Sequence, residues 1–424
     1  MPLALKIMTN KFDFASRNQR ELSAAKEAGY DVKVLSAWIS CESENNTMEI
    51  IKGVEVHKYS LLPKLFGEKP MKTLMRDILS HPFSIDNYIM IIKKIARRIT
   101  YKNILYLRWA LKIKKFKPDV ITCPSIELLM IAYISTLLTR KAERPKLVYD
   151  SHEFELGRNV RRSRFAKWRV KHLERFLMKR VAFSIMVNDS IADEVQRIHN
   201  LKERPLVVKS TPPFWKIDPD VCTKRRQEFA KLAGVDSSTF FAMYHGALKK
   251  DRGIENFILA IQANPNIIGI ILGHGYGHND AVYLEELKRL IALPPRVIFL
   301  PAVPNENLWE YVGATDVGVH VIQTNVPNHY LCLPNKFFEN IQSLTPLVVA
   351  DIPEMRKLID KYDIGLTCDQ ANIESINSAL EKMRTDKELY QKFKHNLVAA
   401  KKDLCWENEK ISLIEAYKKL VQCT

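Results

Sequence analysis

Short apolar runs alternate with helical segments along the whole chain, and this alternation predicts its fold class. Six such runs occur in the first half, from "LALKIMTN" near the start to "FSIMVND" at 183–189, and six more in the second half, from "FFAMYHG" at 240–246 to "IGLTCD" at 364–369. Strands that alternate with helices predict an α/β protein with parallel sheets. Because the runs are almost entirely apolar, we expect helices to cover both faces of each sheet.

The stretch "KSTPPFWKIDPD" at 209–220 interrupts this pattern near the middle of the chain and reads as a linker. It concentrates four turn-forming or helix-breaking residues: Pro212, Pro213, Asp218 and Pro219. A chain of 424 residues is also too long for one ordinary hydrophobic core. We predict two doubly wound, Rossmann-like domains, 1–210 and 211–400, followed by a helical segment, 401–424.

The composition is that of a folded globular protein, with 46% hydrophobic and 27% charged residues. Seven scattered cysteines without a C-x-x-C pair favour a reducing compartment and argue against structural zinc. The first residues lack the features of a signal peptide. The best transmembrane candidate, 126–138, is shorter than the roughly 20 residues that span a bilayer. These features predict a cytoplasmic protein.

The formal net charge of +17 is concentrated in the first half of the chain. Residues 1–200 carry 37 Lys and Arg against 21 Asp and Glu, whereas the other residues carry 28 against 27. Within this half, 87–118 contains ten basic residues and no acidic one. Its isoleucines recur at helical spacing and its basic residues fill the opposite side, which predicts a basic amphipathic helix.

Such a helix suits an anionic membrane surface, a nucleic-acid backbone, or simply a solvated face above the core. A second basic cluster, "RNVRRSRFAKWRVKHLERFLMKR" at 158–180, lies in the same half and favours a real anionic partner. We assign five residues to an acceptor-facing and membrane-facing surface: Arg17, Lys93, Lys94, Arg97 and Arg98.

Doubly wound domains bind ligands outside the carboxyl ends of their strands, so functional residues are expected directly after the apolar runs. After "FFAMYHG", Gly246 makes a turn and Arg252 opens a helix. An arginine at a helix N-terminus suits a phosphate group, although it can also merely cap the helix. Val303, at the end of "RVIFLPAV", is a weaker candidate for backbone contacts to a flat base.

The stretch "LPNKFFENIQSLTPLVVAD" at 333–351 gives the strongest site prediction. Backbone N–H groups at the start of its helix attract anions, and Lys336 adds positive charge beside them. Glu339 lies one turn into the helix, where its carboxylate can accept two ribose hydroxyls as in dinucleotide-binding folds. The turn itself consists of four candidate residues: Leu333, Pro334, Asn335 and Lys336.

These segments, with "VYDSHEFE" and "LCWENEKISLIEAYKKL", resemble GT-B glycosyltransferases of the "group 1" class, glycosyltransferase family 4. The resemblance spans nearly the whole chain in the expected order. It implies a retaining enzyme with a nucleotide-sugar donor. It also implies an N-terminal acceptor domain and a C-terminal donor domain that face a cleft, with the final helix crossing back to the first domain.

The resemblance also implies roles for single residues. Glu339 matches the glutamate that holds the donor ribose, and Arg252 and Lys336 fall where the diphosphate is contacted. His152 matches the histidine that faces the donor sugar.

The chain departs from the family pattern at two positions of the donor domain. Leu331 stands where an earlier glutamate contacts the sugar, and Ala247 stands where an arginine commonly follows the first glycine. These departures leave the identity of the sugar open.

No D-x-D pair follows a strand to hold Mg²⁺, so we expect neither a metal nor another cofactor. The predicted function is transfer of a sugar to a lipid-linked or glycan acceptor at the inner face of an anionic membrane, in surface polysaccharide or related glycan biosynthesis, without a nucleic-acid partner. Two alternatives are a GT-B epimerase or phosphorylase, which would not need the basic helix, and a basic nucleic-acid-binding protein, which would leave Glu339 and Arg252 unused.

Overall fold

The computed structural model describes residues 1–9, 12, 16–38, 47–60, 103–158, 163–273, 278–292 and 295–422. Lys93, Lys94, Arg97 and Arg98 lie outside these ranges. Contacts divide the chain into two compact units. The first comprises Met1–His152, Lys171–Ile185 and Leu413–Thr424, and the second comprises Glu153–Val170 and Met186–Ser412.

This division falls at other points of the chain than the predicted linker at 209–220. The end of that linker is helical, because Pro219 begins a helix and the side chain of Asp218 caps it by accepting the N–H of Asp220 at 2.9 Å. Proline suits the start of a helix because the first backbone N–H groups have no partner within the helix.

Twelve strands agree in position with the twelve apolar runs, and two further strands join them. The strands are β1 (Leu3–Met8), β2 (Asp31–Trp38), β3 (Thr47–Ile51), β4 (Val54–Ser60), β5 (Val120–Cys123), β6 (Lys146–Asp150), β7 (Phe183–Met186), β8 (Leu206–Val207), β9 (Phe240–His245), β10 (Ile267–Leu272), β11 (Val297–Leu300), β12 (Val317–His320), β13 (Leu347–Ala350) and β14 (Gly365–Cys368).

The described α-helices lie mainly between these strands and at the end of the chain. They are α1 (Ser16–Glu27), α2 (103–116), α3 (Ile126–Leu137), α4 (Arg164–Met178), α5 (Asp189–His199), α6 (Pro219–Ala233), α7 (Ile254–Gln262), α8 (His278–Arg289), α9 (Leu308–Val312), α10 (Pro327–Tyr330), α11 (Asn335–Gln342), α12 (Pro353–Tyr362), α13 (Ile373–Thr385), α14 (Lys387–Asp403) and α15 (Trp406–Gln422). In the part of the chain that is described, no helix is long and apolar enough to cross a membrane.

The first unit is built on a sheet in which the strands lie in the order β3-β4-β2-β1-β5-β6-β7. Its strand pairs are parallel, except that β3 runs antiparallel to β4. The sequence pattern did not predict β3, because most of its residues are exposed and it lacks the apolar run of a buried strand. The parallel arrangement confirms the predicted α/β class for this unit.

The second unit contains a fully parallel sheet in the order β11-β10-β9-β12-β13-β14. The chain starts at β9 in the middle, moves outward to β11, and returns to β12 on the other side of β9. Alternate residues of β9 point to opposite faces, since Phe241 and Met243 belong to one buried cluster and Ala242 and Tyr244 to another. Burial on both faces confirms the second doubly wound domain.

The loop after β9 is pressed against the end of β12. Gly253 has a φ of +75°, and a Cβ atom there would lie 1.9 Å from the carbonyl oxygen of Val321. The N–H of Gln323 donates to the carbonyl of Asp251 at 3.1 Å, which ties the same two segments together. Glycine is therefore required at 253 both for the backbone conformation and for the close contact.

Gly253→Ala is expected to lower the free energy of unfolding by about 3 kcal/mol or more, because backbone strain and a steric clash add together. Gly234→Ala is the matched control, since Gly234 also has a positive φ, +65°, but has nothing within 4 Å of the added Cβ. The control should lose only about 1 kcal/mol. Denaturant unfolding of both variants tests this, and equal losses would contradict the proposed close contact.

Candidate functional site

In the second sheet, β10 and β11 lie on one side of β9, whereas β12, β13 and β14 lie on the other. The strand order therefore reverses between β9 and β12, and doubly wound sheets bind ligands at such a switch point. The two strands pair in parallel, with Gly318 opposite Met243, so their carboxyl ends lie side by side. β9 ends at His245 and β12 ends at His320. Side chains from the segments after both strands are therefore expected to meet at this edge.

Helix α11 brings Glu339 to the end of β9. Oε2 of Glu339 accepts a hydrogen bond from Nε2 of His245 at 2.9 Å, and both side chains are largely buried. The helix begins at Asn335, and Pro334 is its extended N-cap with a φ of −80°, so the proline precedes the first turn instead of lying within it. The bond to His245 orients a carboxylate that helix geometry alone would leave free to rotate.

The side chain of Lys336 lies across the turn at Gly246. A Cβ atom at Gly246, whose φ is +111°, would lie 2.9 Å from Cε of Lys336. The Lys336 Nζ atom is 3.7 Å from the centroid of the Tyr244 ring and is shielded from solvent, and none of the described residues accepts a hydrogen bond from it. Gly246 is therefore the residue that makes room for this cation.

Burial holds the pKa of the Lys336 ammonium well below its usual 10.5, and the positive charge of Arg252 acts in the same direction against the opposing charge of Glu339. Burial, followed by the charge of Lys336, also keeps the pKa of His320 well below its usual value, so its imidazole is neutral. Neither ring nitrogen of His320 has a hydrogen-bond partner within the described ranges. The turn thus gathers several groups that would gain from an incoming anion.

Arg252 directly precedes Gly253, the N-cap of α7. Because Gly253 packs against Val321 just beyond β12, Arg252 belongs to the loop at these strand ends. Its positive charge contributes to lowering the pKa of Lys336, His320 and His329. The structure therefore brings together four of the residues that the sequence singled out: Gly246, Arg252, Lys336 and Glu339.

Three other predicted residues have different surroundings. The side chain of Leu333 is buried in the cluster that contains Phe337, so it is part of the hydrophobic core. Asn335 is exposed at the start of α11. Val303 follows the edge strand β11 and packs against the cluster that contains Trp215, and no described contact links it to the other candidates.

The two positions that depart from the family pattern contribute backbone contacts. The carbonyl of Leu331 accepts a hydrogen bond from Nδ2 of Asn188 at 2.7 Å, and the carbonyl of Ala247 accepts one from the Tyr244 hydroxyl at 3.0 Å. Neither side chain can donate a hydrogen bond to a ligand.

In the first unit, His152 lies just after β6 and is held by the buried Asp150. Its Nε2 donates to Oδ2 of Asp150 at 3.0 Å, while Arg17 donates to Oδ1 at 2.7 Å and Nζ of Lys6 lies 3.6 Å from Oδ2. Burial raises the pKa of Asp150, but the charges of Arg17, His152 and Lys6 outweigh it and hold that pKa well below its usual range. The ionised Asp150 thereby fixes the tautomer of His152 and leaves Nδ1 as its acceptor.

Burial lowers the pKa of His152, against the opposing negative charge of Asp150. Neutral imidazole is therefore favoured. Arg17, which the sequence assigned to an acceptor-facing or membrane-facing surface, has a side chain only 12% exposed and pairs with Asp150 instead. The buried carboxylate needs cationic partners, and Arg17 on α1 supplies one of them.

The sequence reasoning missed His245, Tyr244 and His320. All three lie in the last two residues of a strand that ends at the switch point. The rule that ligands bind beyond strand ends could have singled them out, but only once the strand order was known.

Comparison with known families gives a match over residues 225–398 to the family described as glycosyl transferases group 1. An uncharacterised glycosyltransferase of Methanocaldococcus jannaschii is 25% identical over 242 residues, which is 55% of this chain and 59% of the relative. The alpha-D-kanosaminyltransferase of Streptomyces kanamyceticus is 24% identical over 249 residues, or 56% and 60%. The chain thus spans about three fifths of the length of these curated relatives.

Solved structures agree with the whole fold. The sucrose-phosphate synthase of Thermosynechococcus elongatus superposes with a TM-score of 0.71 at 13% identity, with all of both chains covered. The Anabaena protein HepE in complex with UDP-glucose does so with a TM-score of 0.68 at 15% identity, again with full coverage. These neighbours confirm the predicted GT-B fold. Residues 225–398, which lie in the second unit, are accordingly the part of the chain that is similar to the glycosyl transferases group 1, and the chain has the GT-B fold.

Proposed function

We propose that this protein is a glycosyltransferase that moves a sugar from a nucleotide-sugar donor to an acceptor with retention of configuration. The observation that carries the proposal is the grouping of Glu339, Lys336 and Arg252 around Gly246 at the switch point of the second sheet. One carboxylate beside two cationic groups is the chemistry that a ribose and a diphosphate require. The structurally similar HepE was solved with UDP and with UDP-glucose, so UDP is the first nucleotide to test.

Each group has a separate task in this proposal. Glu339 accepts hydrogen bonds from the ribose hydroxyls, and His245 keeps its carboxylate oriented. Arg252 and Lys336 contact the diphosphate, together with backbone N–H groups at the start of α11. As the nucleoside diphosphate leaves, negative charge develops on its oxygens, and these donors stabilise that charge without a bound metal.

The first unit contributes His152 to the reaction. Its imidazole is oriented by Asp150. The negative charge of this carboxylate stabilises positive charge that develops on the ring during the reaction. We assign His152 a role at the donor sugar during turnover, as the family resemblance implies.

The acceptor is proposed to be lipid-linked or a glycan, at the cytoplasmic face of an anionic membrane, in surface polysaccharide or related glycan synthesis. Helix α2, the described part of the basic stretch 87–118, exposes Ile104, Leu107 and Leu111. Residues three and four positions apart lie on one side of a helix, so these form an apolar stripe among basic residues. A stripe of this kind supports binding to an anionic lipid surface.

Glu339→Ala is expected to weaken binding of UDP about 10- to 100-fold, because hydrogen bonds to a charged group are lost. The UDP affinity of Glu339→Gln should lie between that of Glu339→Ala and that of the wild type. Calorimetry with UDP and with its 2′- and 3′-deoxy analogues, each with and without EDTA, measures this. Glu374→Ala, which removes an exposed carboxylate from α13, is the matched control and should bind like the wild type. Full affinity in Glu339→Ala would refute the ribose assignment.

Lys336→Met is expected to raise the melting temperature of the free protein at about pH 7 while it weakens UDP binding, since it removes a buried ammonium that has little compensation. The direction of the change in stability with pH follows from the lowered pKa of Lys336. Between that pKa and 10.5 the unfolded chain binds the extra proton, so the wild type gains stability as pH rises. The stability difference between variant and wild type should therefore shrink toward about pH 10. A difference that does not vary with pH would mean that folding does not lower the pKa of Lys336, which would contradict the prediction.

His152→Ala should lower turnover by about 100-fold or more while UDP affinity stays within about threefold. Turnover is measured with the donor that calorimetry identifies, with product analysis to distinguish transfer from epimerisation. Asp150→Asn tests the orienting contact. Because the Asp150 charge raises the pKa of His152, its loss should move any acidic limb of the pH profile to lower pH. Equal losses of turnover and affinity in His152→Ala would indicate a structural role instead.

A further inference from the structure

Helix α4 carries basic and aromatic residues that the proposed donor site does not use. The segment 158–180 contains ten Lys and Arg and one acidic residue, Glu174. In the first turns of the helix, Phe165 is 67% exposed and Trp168 is 56% exposed. Two large aromatic side chains exposed this far on one helix are unusual for a surface that faces only water.

The two rings form one patch among cations. Their centroids are 5.9 Å apart and their planes differ by 15°, so they stack. The guanidinium carbon of Arg169 lies 6.0 Å from the centroid of the Phe165 ring, within the range of a cation–π contact. We define the aromatic-basic surface by five exposed residues: Arg164, Phe165, Lys167, Trp168 and Arg169.

The acidic residue of the helix does not neutralise this surface. Glu174 is buried, with 2% exposure, and its Oε1 accepts a hydrogen bond from the hydroxyl of Tyr149 at 3.3 Å. Its carboxylate is thus directed into the protein. The exposed side of the first helical turns therefore combines apolar rings with uncompensated positive charge.

We propose that the aromatic-basic surface docks on an anionic lipid bilayer, with Phe165 and Trp168 at the level of the headgroups. The indole of Trp168 favours the membrane interface, and Phe165 adds apolar area that can be buried there. Lys and Arg near the surface are attracted to anionic headgroups. A nucleic-acid duplex would satisfy the cations but would leave both rings in water. This inference rests on the proposed function in one respect: docking on the bilayer would bring the enzyme to a lipid-linked acceptor.

The test is sedimentation with vesicles of phosphatidylcholine alone or mixed with phosphatidylglycerol. The double variant Phe165→Ala and Trp168→Ala should bind the anionic vesicles about tenfold more weakly than the wild type, because apolar burial supplies part of the affinity. The control is Leu232→Ala, which removes a 62% exposed apolar side chain from α6 and should leave binding unchanged. Wild-type binding by the double variant would overturn the proposal.

Brominated lipids give an independent readout of depth, because bromine quenches tryptophan that enters the interface. Wild-type emission should be quenched on anionic vesicles, and Trp168→Phe should lose most of that quenching while it still binds. Equal quenching in Trp168→Phe would show that another tryptophan meets the membrane and would contradict the assignment.

Charge reversal tests the cations. Lys167→Glu with Arg169→Glu should reduce binding to anionic vesicles and not to neutral ones, whereas Lys382→Glu with Lys387→Glu, an equal change on exposed helices elsewhere, should not. Tighter binding of the wild type to duplex DNA than to anionic vesicles would overturn the proposal. UDP binding measured without lipid should not change in these variants, so failure of the docking proposal and failure of the donor assignment are distinguishable.

Discussion

The burial of the Lys336 side chain across Gly246 is the constraint on which the second unit's site depends. It requires a residue without Cβ at the end of β9, an aromatic ring at Tyr244 to receive the ammonium, and a helix start close enough to deliver the side chain. Burial makes the charged state costly until an anion arrives. Under the proposed function, a diphosphate would supply the negative charge that compensates this ammonium.

The same helix that delivers Lys336 also delivers Glu339, and the two side chains have different partners. Glu339 is held by His245 from β9, whereas the Lys336 ammonium has a ring face beneath it and no hydrogen bond among the described residues. A fixed carboxylate suits hydroxyl groups, whose hydrogen bonds are directional. An ammonium with three rotatable donors suits phosphate oxygens, which accept from many directions.

The first unit also contains a buried charged group, the carboxylate of Asp150, and a network of ion pairs and hydrogen bonds stabilises it. Asp150 is fully buried and ionised because Arg17, Lys6 and His152 surround it. Lys6 also pairs with Glu21, which accepts from the hydroxyl of Tyr417 on α15. Removal of one member of such a network leaves a buried charge without its partner, so the position of His152 depends on residues far from it in sequence.

Local sequence patterns predicted most of the strands of this protein and two residues of its candidate site. Twelve apolar runs marked the strands, and the turn before α11 marked Lys336 and Glu339, because strand burial and helix starts leave their signal in neighbouring residues. The pattern could not reveal the exposed strand β3, and it assigned Arg17 to the surface although this residue pairs with Asp150.

Only the tertiary structure decided that β9 lies beside β12, and with it that His245 meets Glu339 across 94 positions of the chain. The lowered pKa of Lys336 and the core position of Leu333 have the same origin. Burial and charge are set by neighbours in space, and those neighbours follow from the strand order, which is not a local property of the sequence.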